Sequence, residues 1–515
     1  MSPRDLQRNP CWQAADLGHP LPDATHAVSV ALPRWRDVVA YEDNDPNCRS
    51  QLRAVYPRFG FHPLVSELAR AALDESGAPP TSSAWPYPTL AAAEAALAHC
   101  LREAPDAHTT IATVRGLACL IADPDSTAAA KAFWQHAGLG ASSRLAAIAL
   151  GKESAPSDSE ANAALQAVIS RLSQMYGCTA ENISLHPSGM AAQHEALRLV
   201  NHLHPGRPSL QIGFPYVDVL KQPQVLFNGA ELLIDSSPAV VEAALKRLKP
   251  AALVVELPSN PLLQCVDLPT IAKLAHARAI PVIADDTIGS GLNIDALPHA
   301  DLVFSSLTKS FAGRGDVLAG SLIVSPYSTW RQTFLSKRSS TEAGILAGLA
   351  AADAIPLEQG SRDLNQRLPQ LNANTLALAE QLKQHPAVER VFHPADCANF
   401  TALMRPDAGN IASAPGHGCS APGHGCSAPG HGCLLSFELK GGTEKAQRVY
   451  DALSVCKGPS LGTAFTLCCP YVLLAHYEEL PWAASCGVPS HLLRVSVGLE
   501  DPAELWQRFK QALEA

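Results

Sequence analysis

Apolar residues recur at i, i+3, i+4 and i+7 in Leu165, Val168, Ile169 and Leu172. The spacing predicts one buried helix face over 160–176, stopped by Gly177. A second such face, Ala196, Leu199, Val200 and Leu203, follows the turn Pro187-Ser188-Gly189-Met190. Between and after these helices the pattern changes. Residues 183–185, 210–214, 251–257, 281–284, 302–307 and 319–324 are short, mostly continuous apolar runs. Buried strands alternating with amphipathic helices predict an α/β fold with a mainly parallel sheet, covered on both faces. Further on, 340–390 reads as long helices, with an Ala/Leu-rich stretch over 343–354, and 434–439 reads as a strand. A last helix opens with Asp501 as cap, Pro502 in the first turn and Glu504 behind it. These patterns divide the chain into an N-terminal extension (1–150), a large α/β domain (151–335) and a smaller α+β C-terminal domain (336–515).

The extension is less regular. Alternation over 28–32 predicts a strand ending at Pro33, and helices are expected over 64–73 and 91–101. The Pro-, Ser- and Gly-rich 76–89 reads as a loop. Trp134 and His136 are expected to pack at an element end. Arg144, beside Ser142 and Ser143, suits either an anion or a salt bridge.

Composition narrows the class. Net charge is −9 over 515 residues, which gives no reason to expect a nucleic-acid or anionic-membrane partner. No uncharged apolar run is long enough for a membrane span, and residues 1–18 are too polar for a secretory signal. The fourteen cysteines are scattered, as reduced thiols in a cytoplasmic protein would be. Ser-Ala-Pro-Gly-His-Gly-Cys occurs three times over 413–433. One His and one Cys per copy could bind a soft metal, but paired ligand spacings are missing. The repeat therefore reads as a tandem expansion that loops out ahead of the 434–439 strand, and no metal is expected.

Ligands of parallel sheets bind beyond the carboxyl ends of the strands. Tyr216, Glu256, Asn260, Asp285, Ser306, Thr308 and Lys309 all fall at or just past such ends. Lys309 could form a Schiff base with a carbonyl cofactor. Alone it would be an ordinary loop lysine. Its company changes that reading. Asp285 can keep a pyridine nitrogen protonated, and Tyr216 can stack on a ring. Asn260 can bond a ring hydroxyl. Ser188, Gly189 and Met190 open a helix whose free N–H groups suit a phosphate, with Ser306 and Thr308 nearby. Together these are what pyridoxal 5′-phosphate asks of a protein.

The chain also resembles the pyridoxal-phosphate-dependent enzymes of cysteine and methionine metabolism, nearest to the cystathionine γ-synthases. The resemblance rests on Ser-Gly-Met-Ala-Ala at 188–192, Glu-Leu-Pro-Ser-Asn-Pro at 256–261, Ala-Asp-Asp-Thr at 284–287 and Ser-Leu-Thr-Lys at 306–309. Ser-Leu-Gly at 460–462 and Leu-Arg-Val-Ser-Val-Gly-Leu-Glu at 493–500 extend it. Stretches at 26–33, 133–136, 213–216 and 458–463 resemble the N-terminally extended branch seen in fungi. The resemblance implies a fold-type I transferase with a seven-stranded sheet. It implies Lys309 as cofactor lysine and proton shuttle, Asp285 at the ring nitrogen and Tyr216 stacked on the ring. Ser188, Gly189, Met190, Ser306 and Thr308 would lie at the phosphate, with Arg494 on the substrate carboxylate and Ser460 and Glu256 on the substrate side. The implied reaction joins an O-acylhomoserine to cysteine, in a homodimer or homotetramer. A cystathionine lyase, an O-acylhomoserine sulfhydrylase and a non-catalytic binding protein of the same fold are the alternatives.

Two departures stand out. The family's Tyr-Gly-Gly-Thr-x-Arg is replaced by Tyr216-Val217-Asp218-Val219, without the arginine. A Tyr-x-Arg loop that reaches the neighbouring subunit's phosphate has two candidates, Tyr56-Pro57-Arg58 and Ser142-Ser143-Arg144. Arg144 better fits its place ahead of the 160–176 helix, which leaves that loop without its tyrosine.

Overall fold

Three sheets carry the fold, among residues 3–57, 59–339, 346–406 and 430–515, which this computed structural model describes. The first sheet is small. Strands β1 (Ser83–Tyr87), β2 (Thr109–Val114) and β3 (Leu117–Ala122) pair antiparallel in the order β1-β3-β2. Arg115 and Gly116 alone join β2 to β3, at φ 50° and 84°, as a primed hairpin turn requires. The loop expected over 76–89 is corrected here, because 83–87 is strand. Pro86 is tolerated because β1 is an edge strand, where a missing N–H costs little. Helices Pro63–Ser76, Leu90–Glu103 and Thr127–Ala137 pack around this sheet.

The second sheet is the expected mainly parallel one. Its seven strands are β4 (Ile183–His186), β5 (Ser209–Ile212), β6 (Ala230–Leu233), β7 (Leu253–Glu256), β8 (Val282–Asp285), β9 (Leu302–Ser306) and β10 (Gly320–Val324). They lie in the order β4-β10-β9-β8-β7-β5-β6, and only β10 runs antiparallel to its neighbours. Successive residues enter opposite cores. Val255 and Ala284 meet Val168 and Leu172 of the helix Asp158–Tyr176. Val254 and Ile283 meet Ala196 and Val200 of the helix Gly189–Leu203. That two-sided burial is why the strands read as continuous apolar runs. Ser157 and Glu160 form a capping box at the start of Asp158–Tyr176, and Gly177, at φ 64°, closes it.

The third sheet comprises β11 (Val388–Phe392), β12 (Leu434–Leu439), β13 (Cys456–Lys457), β14 (Leu467–Pro470) and β15 (Leu493–Ser496), ordered β11-β12-β15-β14-β13. An N-terminal arm is built into its core. Ala27, Val30, Leu32, Trp35, Val38 and Tyr41 share one cluster with Phe437, Tyr450, Val495 and Phe509. The strand expected over 28–32 is an extended segment with one isolated bridge, Pro20 to Val30. Ser29 and Ala31 bond to Leu21, His19 and Gly18, while Leu32 N–H donates to the Lys457 carbonyl (2.9 Å) and Val28 N–H to the Gly315 carbonyl (2.9 Å). The Tyr450 hydroxyl donates to the Leu32 carbonyl at 2.7 Å and Lys457 Nζ to the Pro33 carbonyl at 2.8 Å.

The long helices expected over 340–390 are Ala351–Gly360 and Leu364–Gln384, while 346–350 is not helical. The repeat up to 429 lies outside the described residues. Its last Gly432 and Cys433 lead into β12, with the Gly432 N–H donating to Asn372 Oδ1 at 2.9 Å. The capping carboxylate of Asp501 accepts from the N–H of Ala503 and Glu504. Among the described residues no helix is long and apolar enough to cross a membrane.

Candidate active site

Strand register sets one wall of the site. Glu256 at the end of β7 pairs with Asp285 at the end of β8, and Ser306 ends β9 alongside. Lys309 sits in the turn just beyond, buried. Its Nζ donates to Tyr56 Oη at 3.0 Å and to Ser460 Oγ at 3.4 Å. The turn is held from behind by Arg367, whose guanidinium donates to the carbonyls of Ser310 (2.6 Å), Phe311 (3.2 Å) and Gly360 (2.9 Å). It is held from in front by Gly462, where a Cβ would come within 2.3 Å of Ser310 N. Nothing in the sequence pattern singled out Arg367, because a helix arginine followed by Leu and Pro reads as a solvated residue.

The two buried carboxyls divide their roles. Burial and the charge of Asp285 hold the Glu256 carboxyl well above the usual range, although its Oε2 accepts from the N–H of Tyr216 (2.9 Å) and Asn260 (3.0 Å). Burial lifts Asp285 only to about 6, since Thr287 hydrogen bonds oppose the rise; the Thr287 N–H lies 2.9 Å from Oδ1. Of the pair, Asp285 is therefore the more readily ionised. Asp286, behind it, accepts from Tyr176 Oη at 2.7 Å, and burial brings it to about 7.

The anion end is a helix start. Ser188 Oγ caps the helix Gly189–Leu203, accepting from the Ala191 N–H, and donates to the Gly138 carbonyl at 2.8 Å. The N–H groups of Gly189 and Met190 have no intrahelical acceptor, as for any first turn. A Cβ on Gly189 would meet Ser306 Cβ at 2.7 Å, so only glycine lets the helix start approach the end of β9. Thr308 lines the same cavity, but its hydroxyl is engaged with the backbone of Ala319.

Arg494, in β15, closes the other end. It is buried, and its described partners are neutral oxygens: the carbonyls of Pro459 (2.6 Å) and Ser460 (3.1 Å), and Asn260 Oδ1 (3.5 Å). Its Nε is buried without a partner, and its Cζ lies 4.9 Å from the Tyr471 ring centre. Among the described residues this buried guanidinium hydrogen-bonds only neutral groups, the Cys469 thiol included, and it can take a carboxylate from outside the chain. Asn260 is thus turned toward Arg494.

Arg144 is spoken for within its own chain: Nη1 donates to the Asp316 carbonyl at 2.7 Å and lies 3.5 Å from Asp353 Oδ1. The salt bridge, of the two readings of Arg144, is the one described. Arg58 lies outside the described residues, whereas its neighbour Tyr56 reaches Lys309. Beyond Tyr216, where the family's arginine is missing, buried Asp218 lies 3.2 Å from His136 Nδ1, so His136 does more than pack. All the expected site residues except Ser460 line one cavity of about 180 Å³, and Ser460 joins it through Lys309. An amine, an ionised carboxylate, a glycine-opened helix start and an unsatisfied guanidinium in one cavity fit pyridoxal phosphate carrying an amino acid.

Comparison with known proteins agrees. Residues 159–514 match the family described as Cys/Met metabolism PLP-dependent enzyme, and residues 64–142 match the fungal trans-sulfuration enzyme N-terminal domain. The chain is 29% identical to a cystathionine gamma-synthase of Neurospora crassa, covering 97% of this chain and 98% of that protein. It is 31% identical to the L-2-amino-4-chloropent-4-enoate dechlorinase/desaturase of Streptantibioticus cattleyicolor, covering 96% and 97%. Among solved structures, a cystathionine gamma synthase from Xanthomonas oryzae pv. oryzae, in complex with aminoacrylate and cysteine, shares the fold. Its TM-score is 0.55 at 22% identity, covering 69% of this chain and 87% of that one.

Proposed function

The chain belongs to the Cys/Met metabolism PLP-dependent enzyme family, whose cofactor is pyridoxal 5′-phosphate, and from that premise we propose γ-replacement: an O-acylhomoserine loses its γ-acyloxy group as a carboxylate and takes the thiol of cysteine at the same carbon, giving cystathionine. The observation that carries the reading is the Ser460 bridge. Its carbonyl accepts from Arg494 and its hydroxyl from Lys309. A substrate carboxylate on Arg494 is thereby held at a fixed distance from the amine that must reach its α-carbon. The near full-length likeness to the Neurospora crassa protein supports the same reading.

When bound, the cofactor supplies an electron sink for charge developing beside the substrate nitrogen. The chain's residues do the rest. Lys309 holds the cofactor and, once displaced, moves protons at the substrate's α- and β-carbons. Asp285 keeps the ring nitrogen protonated and Tyr216 stacks on the ring. The start of the helix Gly189–Leu203, with Ser188, Met190 and Ser306, takes the phosphate. Glu256, held well above the usual carboxyl range by burial and by Asp285, leaves Asp285 as the more readily ionised carboxyl at the ring. We expect the enzyme to be cytoplasmic. We expect it to be a homodimer or homotetramer.

A second reading is elimination without a thiol acceptor. It is favoured by the likeness to the dechlorinase/desaturase and by the Asp218–His136 pair just past Tyr216, in the stretch where the family's motif is replaced. Supplying acetyl- and succinyl-homoserine with cysteine, with sulfide or with no thiol, and identifying the product, separates these. Cystathionine from the cysteine arm supports γ-replacement. Homocysteine from sulfide alone, or an oxo acid formed equally fast without thiol, overturns it.

A further inference from the structure

We infer that the last Ser-Ala-Pro-Gly-His-Gly-Cys copy differs in role from the two before it: through Cys433 it is a positioning element for the turn that carries Lys309. The inference rests on the reading of Lys309 as the cofactor lysine. The three copies are identical in sequence. What marks the last is the seat of its final residues, 430–433, all of them buried.

Each of the last three residues is held. The His431 ring lies 5.7 Å from that of His393 and 6.2 Å from that of Phe400. The Gly432 N–H donates to Asn372 Oδ1 at 2.9 Å, and Asn372 Nδ2 donates to Asn293 Oδ1 at 3.0 Å. Gly432 has φ 87°, a conformation that favours glycine. A Cβ there would come within 3.1 Å of the carbonyl of Ile288, which lines the cavity just past Asp285 and Thr287. Cys433 is buried in the core of the α/β domain. Its carbonyl accepts from the Val497 N–H at 2.9 Å, and its thiol is hydrogen-bonded to Ser496.

Ser496 passes the contact on. Its Oγ accepts from the Gly462 N–H at 2.8 Å. Gly462 is packed so closely on the Lys309 turn that a Cβ would come within 2.3 Å of Ser310 N and 2.7 Å of the Lys309 carbonyl carbon. One run of contacts, Cys433 to Ser496 to Gly462 to Ser310, thus joins the end of the repeat to the residue after the lysine. A serine hydroxyl turns about a single bond, and a second partner fixes that torsion and aims its oxygen at Gly462. The thiol also feels the charges of Arg367, which holds the turn from behind, and of Arg494. Burial nevertheless pushes it above the ordinary thiol range, so it serves as a neutral hydrogen-bonding group and not as a nucleophile.

The test compares Cys433→Ala with Cys433→Ser, which remove nearly the same bulk and differ in the hydrogen bond. In the cofactor-free protein, amide exchange is read by mass spectrometry on peptides spanning 305–316 and 458–466. It should quicken roughly tenfold in the alanine variant and stay within about twofold of wild type in the serine variant. In the loaded enzyme, alanine should lower kcat roughly tenfold with KM changed less than about threefold, and serine should restore most of the loss. If the alanine variant does not fold, Ser496→Ala cuts the same run and is read in its place. Deleting two copies leaves an identical Ser-Ala-Pro-Gly-His-Gly-Cys ahead of β12 and should leave exchange in both peptides unchanged. Unmoved exchange in the alanine variant, equal changes in alanine and serine, or quickened exchange after deleting two copies overturns the inference. A wild-type protein that takes up no cofactor would instead sink the reading of Lys309, while exchange in the cofactor-free protein still decides Cys433.

Discussion

The ends of β7, β8 and β9 and the N-terminal arm form facing walls of one cavity and are made in different ways. On the strand side, Glu256, Asp285 and Ser306 are neighbours because the strands are in register, and Lys309 follows three residues later. On the arm side, Tyr56 meets Lys309 across 253 positions of sequence. It is there only because 27–41 is buried in the third sheet. The first wall is a property of secondary structure, and the second is a property of tertiary packing. Changes to the first should remove chemistry and spare the fold, whereas changes to the arm's anchors should loosen the fold and spare the chemistry.

Lys309→Ala should have the largest effect. Turnover should fall roughly a thousandfold or more, with cofactor still bound noncovalently, as steady-state kinetics and absorbance would report. Asp285→Asn should lower kcat roughly a hundredfold and move stability the opposite way. A buried acid lifted to about 6 binds its proton more tightly folded than unfolded. Its contribution is fully present below the unfolded value near 4 and is lost as pH rises through about 6. Asparagine removes that loss. The cofactor-free variant should be more stable than wild type by about 1–3 kcal/mol at pH 7–8 and should gain nothing below pH 4, as thermal melts across pH would show. Equal destabilisation at every pH would contradict this.

Tyr450→Phe tests the arm wall. It deletes the hydroxyl that donates to the buried Leu32 carbonyl at 2.7 Å. The expected cost is about 1–3 kcal/mol of stability, visible as a lower Tm, with kcat within about twofold. A large loss of kcat without a change in Tm would mean that the two walls are not separable. The smallest effect is expected from removing two copies of the Ser-Ala-Pro-Gly-His-Gly-Cys repeat: activity and Tm should stay at wild-type values, and loss of activity together with bound zinc would refute that.

The same contrast explains what could be read from the chain. The 160–176 helix, its Gly177 stop and the apolar strands follow local rules, and they brought Asp285, Glu256 and Lys309 to one edge. Arg494 and Ser460 were reached through the family resemblance, since periodicity carries nothing about a contact across 34 positions. The segment 83–87 was hidden by Pro86, whose cost disappears only at a sheet edge. Residues 28–32 alternate like a strand, yet Ser29 and Ala31 bond only to the nearby 18–21 segment while Val28 and Leu32 bond far along the chain, to Gly315 and Lys457. Tyr56 carried one of the family's letters, but only the packing of the arm shows that it lies beside Lys309. Arg144 had the right place in the sequence, and the structure adds its contacts with Asp316 and Asp353.

Borohydride reduction of the protein reconstituted with pyridoxal phosphate, followed by peptide mapping, tests the site most directly. The phosphopyridoxyl group should be found on Lys309 and be absent from Lys309→Ala. A label on Lys457, the other deeply buried lysine, or no stable label at all, would contradict the account.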